Sequence, residues 1–340
     1  MPATFDAVDD AIDANADIAE AMLTGGLSMF GISPNDRSWH GKATPKDLDN
    51  VRVTIRQLYR DWSASGSSER RQSYSPFLDA LEQYSPCTVP ERHRQKILVP
   101  GAGLGRLVFD LCLAGYTVEG NEISYHQLIA SNYMLNHTEC ASQFKLYPWA
   151  LHFSNHLSRA TQLSSVGVPD IHPATEVQAA AELHPSPVPF SERMSMTAGD
   201  FCEIYQRRMY ASAISAVATC FFIDTASNVI NYITTVHHCL EPGGLWINLG
   251  PLLWHSEPTV PHSHNGAGSR GDVHTSSISS IDGFGSVELT HDEMIALVER
   301  FGFVIEERRD SDIQSAGYIQ DPASMLQSTY RPVMWVARKR

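Results

Sequence analysis

A glycine-rich turn between an apolar run and a helical pattern constrains this sequence more than any other feature. The run "KILVP" at 96–100 has the length of a buried strand, and the turn "GAGLG" separates it from the helical pattern "RLVFDLCLAG". Glycine costs backbone entropy unless a positive φ or a close backbone approach requires it. Gly101, Gly103 and Gly105 therefore predict a turn against which a ligand lies, facing the N–H groups of a helix N-terminus.

Strands alternate with helices after this turn. "YTVEGNE" reads as a strand and "SYHQLIASNYMLN" as a helix, and the later strands "AISAVATCFFI" and "GLWINLG" flank the helical "SNVINYITTVHHCL". This alternation predicts an α/β fold with a parallel sheet. The C-terminal segments "FVIEERR" and "YRPVMWVARKR" alternate in polarity and predict an antiparallel pair.

Residues 1–90 form a predicted N-terminal helical region, and residues 91–340 form the predicted main domain. Thr44 and Pro45 suit the N-cap and first position of one helix, and a polar break precedes a second helix at "PFLDALEQY". Two polar stretches, at about 163–193 and 256–287, are expected to be surface loops or partly disordered insertions.

The composition is that of a soluble globular protein, with 43% hydrophobic and 19% charged residues among 340. A net charge of −13 argues against broad binding to nucleic acid or anionic membranes, because both need a basic face. The six cysteines form no CxxC pair, which favours a reducing compartment. The sequence shows no secretory signal pattern and no membrane-length apolar run, so we expect a cytoplasmic or nuclear protein.

The form of the glycine turn favours one cofactor class. A dinucleotide fingerprint is GxGxxG, and Arg106 stands where its third glycine would fall. This favours a nucleoside cofactor without a pyrophosphate, such as S-adenosyl-L-methionine, over a nicotinamide cofactor. Glu122 ends the second predicted strand, where a carboxylate can accept hydrogen bonds from ribose hydroxyls. The alternative for Glu122 is a solvated carboxylate at a strand end.

Asp200 and Phe201, in "MTAGDF", suit an adenosine site. An acid here can accept from the adenine amino group while the adjacent ring packs on the base. The alternative is that Asp200 caps the helix that follows.

Asp224 ends the apolar strand in "CFFIDTASN". The carboxyl ends of strands in an open α/β sheet face the ligand crevice, so this carboxylate is predicted to face the reacting atoms. A helix N-cap is the alternative. His255 follows "GLWINLGPLLW", and a structural role is the alternative for it. We expect no metal site from the histidines within 255–274, because cysteine partners and i, i+4 pairs are absent there.

At these residues the chain resembles the carnosine N-methyltransferase family of S-adenosylmethionine-dependent enzymes. The resemblance spans about 45–340 and rests on blocks in family order: "TIRQLYRDWS", "ILVPGAGLGRL", "GNEISYHQLIASNYMLN", "KLYPW", "SMTAGDFCEIY", "ATCFFIDTASNVI", "LEPGGLWINLGPLLWH" and "SMLQSTYRPVMWVARK".

The resemblance implies a class I methyltransferase: a Rossmann-like, seven-stranded, mostly parallel sheet with an N-terminal helical cover. It implies that Arg60 pairs with the carboxylate of the cofactor. The residues that it places around S-adenosyl-L-methionine are Gln57, Arg60, Gly101, Gly103, Gly105, Arg106, Glu122, Asp200, Phe201 and Cys220. Related enzymes pair as dimers, so a homodimer is expected, although no interface is readable in the sequence.

The family substrate is a histidine-containing dipeptide methylated on its imidazole, as in the conversion of carnosine to anserine. The resemblance implies the substrate contacts Phe221, Asp224, His255, Tyr318 and Tyr330, with Asp224 and His255 in catalysis. Two departures from the family lie on the substrate side. Ser227 stands where the animal proteins have histidine, and the C-terminal tyrosine run is reduced to 328–330. Another small molecule or a protein histidine as acceptor, and a non-catalytic cofactor-binding homologue, remain the alternatives.

Overall fold

A seven-stranded sheet carries the glycine turn at its centre. The computed structural model describes residues 2–183, 185–254, 287–310 and 315–340. In chain order its strands are β1 (Lys96–Pro100), β2 (Thr117–Glu122), β3 (Phe144–Leu146), β4 (Val166–Val168), β5 (Met194–Ala198), β6 (Ile214–Cys220), β7 (Leu240–Gly250), β8 (Phe303–Arg309) and β9 (Val333–Lys339). Strands β3 and β4 form a separate antiparallel pair.

The main sheet has the order β5-β2-β1-β6-β7-β9-β8. The first five strands in this order, β5, β2, β1, β6 and β7, pair in parallel, whereas β9 is antiparallel to both β7 and β8. The glycine turn follows β1, next to the position where the chain order of the strands reverses between β1 and β6. Ligands of open α/β sheets bind outside the carboxyl ends of the strands at such a position. The predicted α/β class with a mostly parallel sheet is confirmed.

Eleven α-helices lie in the described part of the chain, and several of them pack on the two faces of the sheet. They are α1 (Pro2–Met29), α2 (Pro45–Trp62), α3 (Ser67–Tyr84), α4 (Arg106–Leu113), α5 (Tyr125–Asn136), α6 (Arg159–Gln162), α7 (Pro173–Leu183), α8 (Phe190–Arg193), α9 (Phe201–Tyr205), α10 (Val229–Cys239) and α11 (His291–Arg300). Short 3₁₀ turns span Val89–Arg94, Arg208–Tyr210 and Ile223–Thr225. In the described part of the chain, no helix has the length and apolarity needed to cross a membrane.

Helix α2 begins as predicted. The Thr44 side chain accepts a hydrogen bond from the Asp47 N–H, and the Asp47 carboxylate accepts one from the Thr44 N–H, which makes a reciprocal capping box. The carboxyl half of α2 is the buried half and includes Leu58 and Trp62, both 0% exposed. The end of α2 is therefore anchored over the sheet, while the start of the same helix is exposed.

The predicted start of the next helix was wrong. Helix α3 begins at Ser67 and runs through Pro76 instead of beginning there. A proline inside a helix removes one hydrogen bond. Here Tyr74, Phe77 and Leu81 are buried against the sheet, and this packing outweighs the lost bond.

The expected loop or disorder at 163–193 was also wrong, because this stretch contains β4, α7 and α8. Its polar composition hides long-range contacts: the Asp170 N–H donates to the Trp62 carbonyl at 2.8 Å. The other predicted insertion, at 256–287, lies almost wholly outside the described residues. The division into a region 1–90 and a domain 91–340 stays a prediction.

Apolar side chains of the sheet alternate between two covered faces. Leu98, Val217 and Trp246 pack in the cluster that includes residues of α10 and α11. Ile97 and Val99 pack in the cluster that includes residues of α3 and α4. Burial on both faces explains the nearly continuous apolar runs of β1, β6 and β7.

A buried ion-pair group joins the N-terminal helices to the sheet domain. The Asp170 carboxylate forms ion pairs with Arg70 (Nη2 to Oδ2, 2.6 Å) and with Arg106 (Nη1 to Oδ1, 2.7 Å). All three side chains are at most 9% exposed. Arg106 also pairs with Asp110 at 2.9 Å and donates to the Asp61 carbonyl at 3.0 Å. The carboxyl end of α2 is thus tied to α3, α4 and the segment after β4.

We expect Asp170→Asn to lower the free energy of unfolding by about 3 kcal/mol, because it leaves two buried guanidinium groups short of a counter-charge. Urea denaturation followed by far-UV circular dichroism measures the change. Asp49→Asn is the matched control, since the Asp49–Arg52 pair is 70% and 61% exposed, and it should cost less than about 1 kcal/mol. Equal, small effects of the two substitutions would contradict a structural role of the buried pair.

Candidate active site

The glycine turn has the backbone conformation that the sequence predicts. Gly101, Gly103 and Gly105 have φ of 65°, 58° and 76°, a region that L side chains rarely adopt. A Cβ at Gly101 would collide with the ring of Phe222. Gly105 is the N-cap of α4, so the first N–H groups of this helix lie at the turn.

Glu122 organises the backbone around this turn. Its carboxylate accepts hydrogen bonds of 2.9 Å from the N–H groups of Gly103, Ile123 and Ser124. Burial raises the pKa of Glu122, and the three backbone donors oppose this shift. An ionised carboxylate has about four acceptor positions, so capacity remains for a ligand hydroxyl. The ribose contact of Glu122 stays a prediction.

Arg60 is a buried cation whose ion pair with Asp61 is long. Its side chain is 7% exposed, and Asp61 Oδ1 lies 3.9 Å from its nearest nitrogen. Its Cζ lies 4.6 Å, 5.2 Å and 5.6 Å from the ring centroids of Tyr318, Tyr74 and Phe221. Within the described residues, its Nε and Nη2 have no hydrogen-bond partner.

Gln57, one helical turn before Arg60, presents a second unsatisfied group. Its Nε2 donates to the Tyr318 hydroxyl at 3.4 Å, whereas its buried Oε1 has no partner in the part of the chain that is described. Unpaired buried polar atoms are costly and rare unless a ligand completes them. A guanidinium suits a carboxylate, and an amide oxygen suits an ammonium group, so both atoms fit the amino-acid end of S-adenosylmethionine.

Cys220 closes this part of the site at the end of β6. Its thiol donates to the Ser73 carbonyl at 3.7 Å. Burial raises the pKa of Cys220 to about 11. The thiol therefore stays protonated near neutral pH and can pack or donate, but it is not a nucleophile.

The predicted strand end at Asp224 was wrong, because β6 ends at Cys220 and the positive φ of Phe221 turns the chain out of the strand. Asp224 lies in the 3₁₀ turn Ile223–Thr225 that follows and is 1% exposed. Its Oδ2 accepts a hydrogen bond from the Leu253 N–H at 2.8 Å, which links the carboxyl ends of β6 and β7. Phe221 precedes it with a φ of 52°, a strained conformation of the kind that clusters at functional sites. His255 lies outside the described residues, so its predicted role stays a prediction.

Three rings border this end of the sheet. Phe221 lies 5.5 Å from Tyr318 and 6.1 Å from Tyr330 between ring centroids. Ala316 and Tyr330 form a bridge through two backbone hydrogen bonds. The structure thus brings together the three aromatic residues predicted for the substrate side, two of them from the C-terminal segment.

Three predicted cofactor residues have other partners in the structure. Asp200 accepts from the Glu203 N–H at 2.9 Å, which is the helix N-cap alternative. Phe201 is 3% exposed and packs in the apolar core. The Arg106 guanidinium is engaged in the ion-pair group, so its side chain links helices. Cofactor contacts by these residues stay predictions.

Sequence reasoning missed two residues that shape the site. Tyr74 packs its ring against Arg60 and donates from its hydroxyl to Asp61 Oδ1 at 2.7 Å. Glu69 hydrogen-bonds the backbone next to Tyr318. Both residues precede Pro76, in the part of α3 that the sequence analysis interprets as a polar break. Recognition of this stretch as helical could have pointed to both of them. Among the described residues, no three metal-ligating side chains lie close enough to hold an ion.

The fold and site define a class of enzyme. A seven-stranded sheet with one antiparallel strand, a glycine turn after the first strand and an acid ending the second are typical of class I S-adenosylmethionine-dependent methyltransferases. The chain matches the family model described as "Carnosine N-methyltransferase" over residues 37–340. It belongs to the carnosine N-methyltransferase family, and the resemblance seen in the sequence is confirmed.

Curated relatives carry the same description. Carnosine N-methyltransferase of Schizosaccharomyces pombe is 35% identical over 97% of this chain and 81% of its own length. The mouse enzyme is 34% identical over 100% of this chain and 76% of its own. The Drosophila melanogaster protein is 39% identical over 87% of this chain and 56% of its own. Among solved structures, a magnesium protoporphyrin IX methyltransferase from Synechocystis aligns with a TM-score of 0.43 and 11% identity, covering 89% of this chain and 98% of its own.

We expect Arg60→Met to weaken binding of S-adenosylhomocysteine by more than about tenfold, because the ligand carboxylate loses its cation. The free energy of unfolding should also fall, because the buried Asp61 carboxylate loses the neighbouring cation 3.9 Å away. Titration calorimetry and urea denaturation measure the two effects. Arg52→Met, at an exposed arginine of the same helix, should leave binding unchanged. Unchanged affinity in the Arg60 variant would remove this residue from the cofactor site.

Proposed function

We propose that this protein transfers a methyl group from S-adenosylmethionine to the imidazole of a histidine-containing dipeptide, with carnosine as the substrate. The observation that carries the proposal is the buried carboxylate of Asp224, just beyond the carboxyl end of β6. The same segment of the chain carries Phe221 and Cys220, and Cys220 borders Arg60. The descriptions of the curated relatives support the choice of carnosine.

The bound cofactor supplies an electrophilic methyl group on a sulfonium. The chain's own contribution is to align donor and acceptor and to exclude water. Arg60 and Gln57 would hold the amino-acid end of the cofactor, and the backbone of the glycine turn would face its nucleoside end. No strong base is needed, because an imidazole with an ordinary pKa of about 6.5 is mostly neutral at pH 7.

The acceptor ring needs a defined tautomer, with the lone pair on the attacking nitrogen and the proton on the other. Asp224 would accept a hydrogen bond from the non-attacking N–H and so select that tautomer. Methylation makes the ring cationic, and the same carboxylate would stabilise the developing charge. The rings of Phe221, Tyr318 and Tyr330 suit the face of an aromatic cation.

A substrate panel tests the acceptor. We expect methylation of carnosine, with weaker or no transfer to free histidine and to histidine-containing protein, and mass spectrometry of the product maps the methylated nitrogen. Transfer to protein alone would support the protein-histidine alternative. Tight binding of S-adenosylhomocysteine without turnover of any acceptor would support the non-catalytic alternative.

Asp224→Asn tests the carboxylate without removing its structural bond, since the amide oxygen can still accept from the Leu253 N–H. We expect kcat to fall by about a hundredfold or more, because charge stabilisation and tautomer selection are lost. The Kd of S-adenosylhomocysteine should stay within about twofold of the wild-type value, as the residue does not hold the cofactor. Steady-state kinetics with carnosine and calorimetry give both values. Near-normal turnover would contradict the proposed role.

A further inference from the structure

Glu69 is a buried acid that the proposed mechanism does not use. It lies in the first turn of α3 and is 7% exposed. Its two carboxylate oxygens accept from the N–H groups of Ile319 and Gln320 at 2.9 Å and 2.8 Å. Hydrogen bonds to an ionised acceptor are stronger than neutral ones, so this pair holds the loop 316–321 firmly.

The loop 316–321 has a conformation that needs such a partner. A Cβ at Gly317 would lie 2.8 Å from Glu69 Oε1, so the loop backbone approaches the carboxylate as closely as only glycine allows. Ile319 has a φ of 55°, which is unfavourable for a β-branched residue. Strained backbone of this kind persists when its surroundings impose it, and the Glu69 carboxylate is the charged group that does so here.

This loop carries Tyr318 into the site. The Tyr318 ring centroid lies 4.6 Å from Arg60 Cζ and 5.5 Å from the Phe221 ring centroid. Its hydroxyl accepts from Gln57 Nε2 at 3.4 Å. One ring therefore contacts both side chains that fit the amino-acid end of the cofactor and one residue of the substrate side.

The turn of α3 that bears Glu69 is itself fixed against the end of α2. A Cβ at Gly66 would collide with the carbonyl oxygens of Tyr59 and Arg60. Arg70, next to Glu69, donates to the carbonyls of Arg60 at 2.5 Å and Ser63 at 2.7 Å. The start of α3 thus holds the Arg60 backbone on one side and the Tyr318 loop on the other.

We propose that Glu69 is a positioning residue for cofactor binding: by holding the N–H groups of Ile319 and Gln320, it sets the Tyr318 ring over Arg60. This inference rests on the proposed function and adds a residue that has no contact with the ligand. The ring excludes water from one side of the guanidinium, and a charge–carboxylate contact is stronger where water is excluded. Loosening the loop therefore weakens binding of the cofactor's carboxylate.

The experiment compares Glu69→Ala and Glu69→Gln with the wild-type chain, using S-adenosylhomocysteine in calorimetry and S-adenosylmethionine with carnosine in kinetics. We expect Glu69→Ala to raise the Kd and the KM of the cofactor about tenfold, with a smaller change in kcat. Glu69→Gln should fall between this variant and the wild type, because its amide oxygen still accepts one of the two N–H groups. Gly317→Ala should reproduce the weaker binding, since it displaces the same loop while the carboxylate remains.

Two controls separate positioning from stability. Glu82→Gln changes an exposed carboxylate of the same helix, paired with Arg92, and should alter neither Kd nor KM. In a Tyr318→Ala background, Glu69→Gln should change the Kd by less than about twofold, because two residues that act through one another are not additive.

Full additivity with Tyr318→Ala would overturn the inference. The inference would also be overturned if Glu69→Ala, Glu69→Gln and Gly317→Ala all kept the Kd of S-adenosylhomocysteine within about twofold of wild type and lowered only the melting temperature. A wild-type chain that binds no S-adenosylhomocysteine would instead refute the proposed function. If the wild-type chain binds S-adenosylhomocysteine and the Glu69 and Gly317 variants bind it equally well, only the positioning role is refuted.

Discussion

The site depends on how the carboxyl end of α2 is held over the sheet. Two arginines, Arg70 from α3 and Arg106 from α4, meet on Asp170, and both also bond backbone carbonyls at the end of α2. Buried charges are tolerable only when they are paired and hydrogen-bonded, so this arrangement ties the end of α2 to α3, α4 and the segment after β4. This connection sets Gln57 and Arg60 at the carboxyl edge of the parallel strands.

Arg60 shows the opposite use of a buried charge. Asp170 satisfies its two arginines, whereas Arg60 is left among three aromatic rings with unpaired N–H groups. An unpaired buried donor lowers stability in the free protein, and a ligand carboxylate can recover that cost on binding. The rigid ion-pair group nearby permits this, because the backbone of Arg60 is held independently of its side chain.

The local elements were largely predictable because their causes are local. Thr44 and Pro45 start α2, and three glycines at positive φ make the turn after β1. The wrong predictions concern segments whose structure is decided by contacts with residues distant in the chain. Pro76 suggested a helix start, but packing of its neighbours on the sheet carried α3 through it. The stretch around Asp170 looked like a loop because one buried carboxylate with distant partners leaves no periodic pattern.

The sequence by itself determined the α/β class, the glycine turn, the acid that ends β2, and the family, since each depends on neighbouring residues or on an ordered set of blocks. Only the tertiary structure decided which side chains meet. It assigned Arg106 to an ion-pair group with Asp170, 64 positions later, and placed Glu69 against backbone 250 and 251 positions later in the chain. Contacts between such distant residues follow from the packing of whole elements, and no local pattern of residues encodes them.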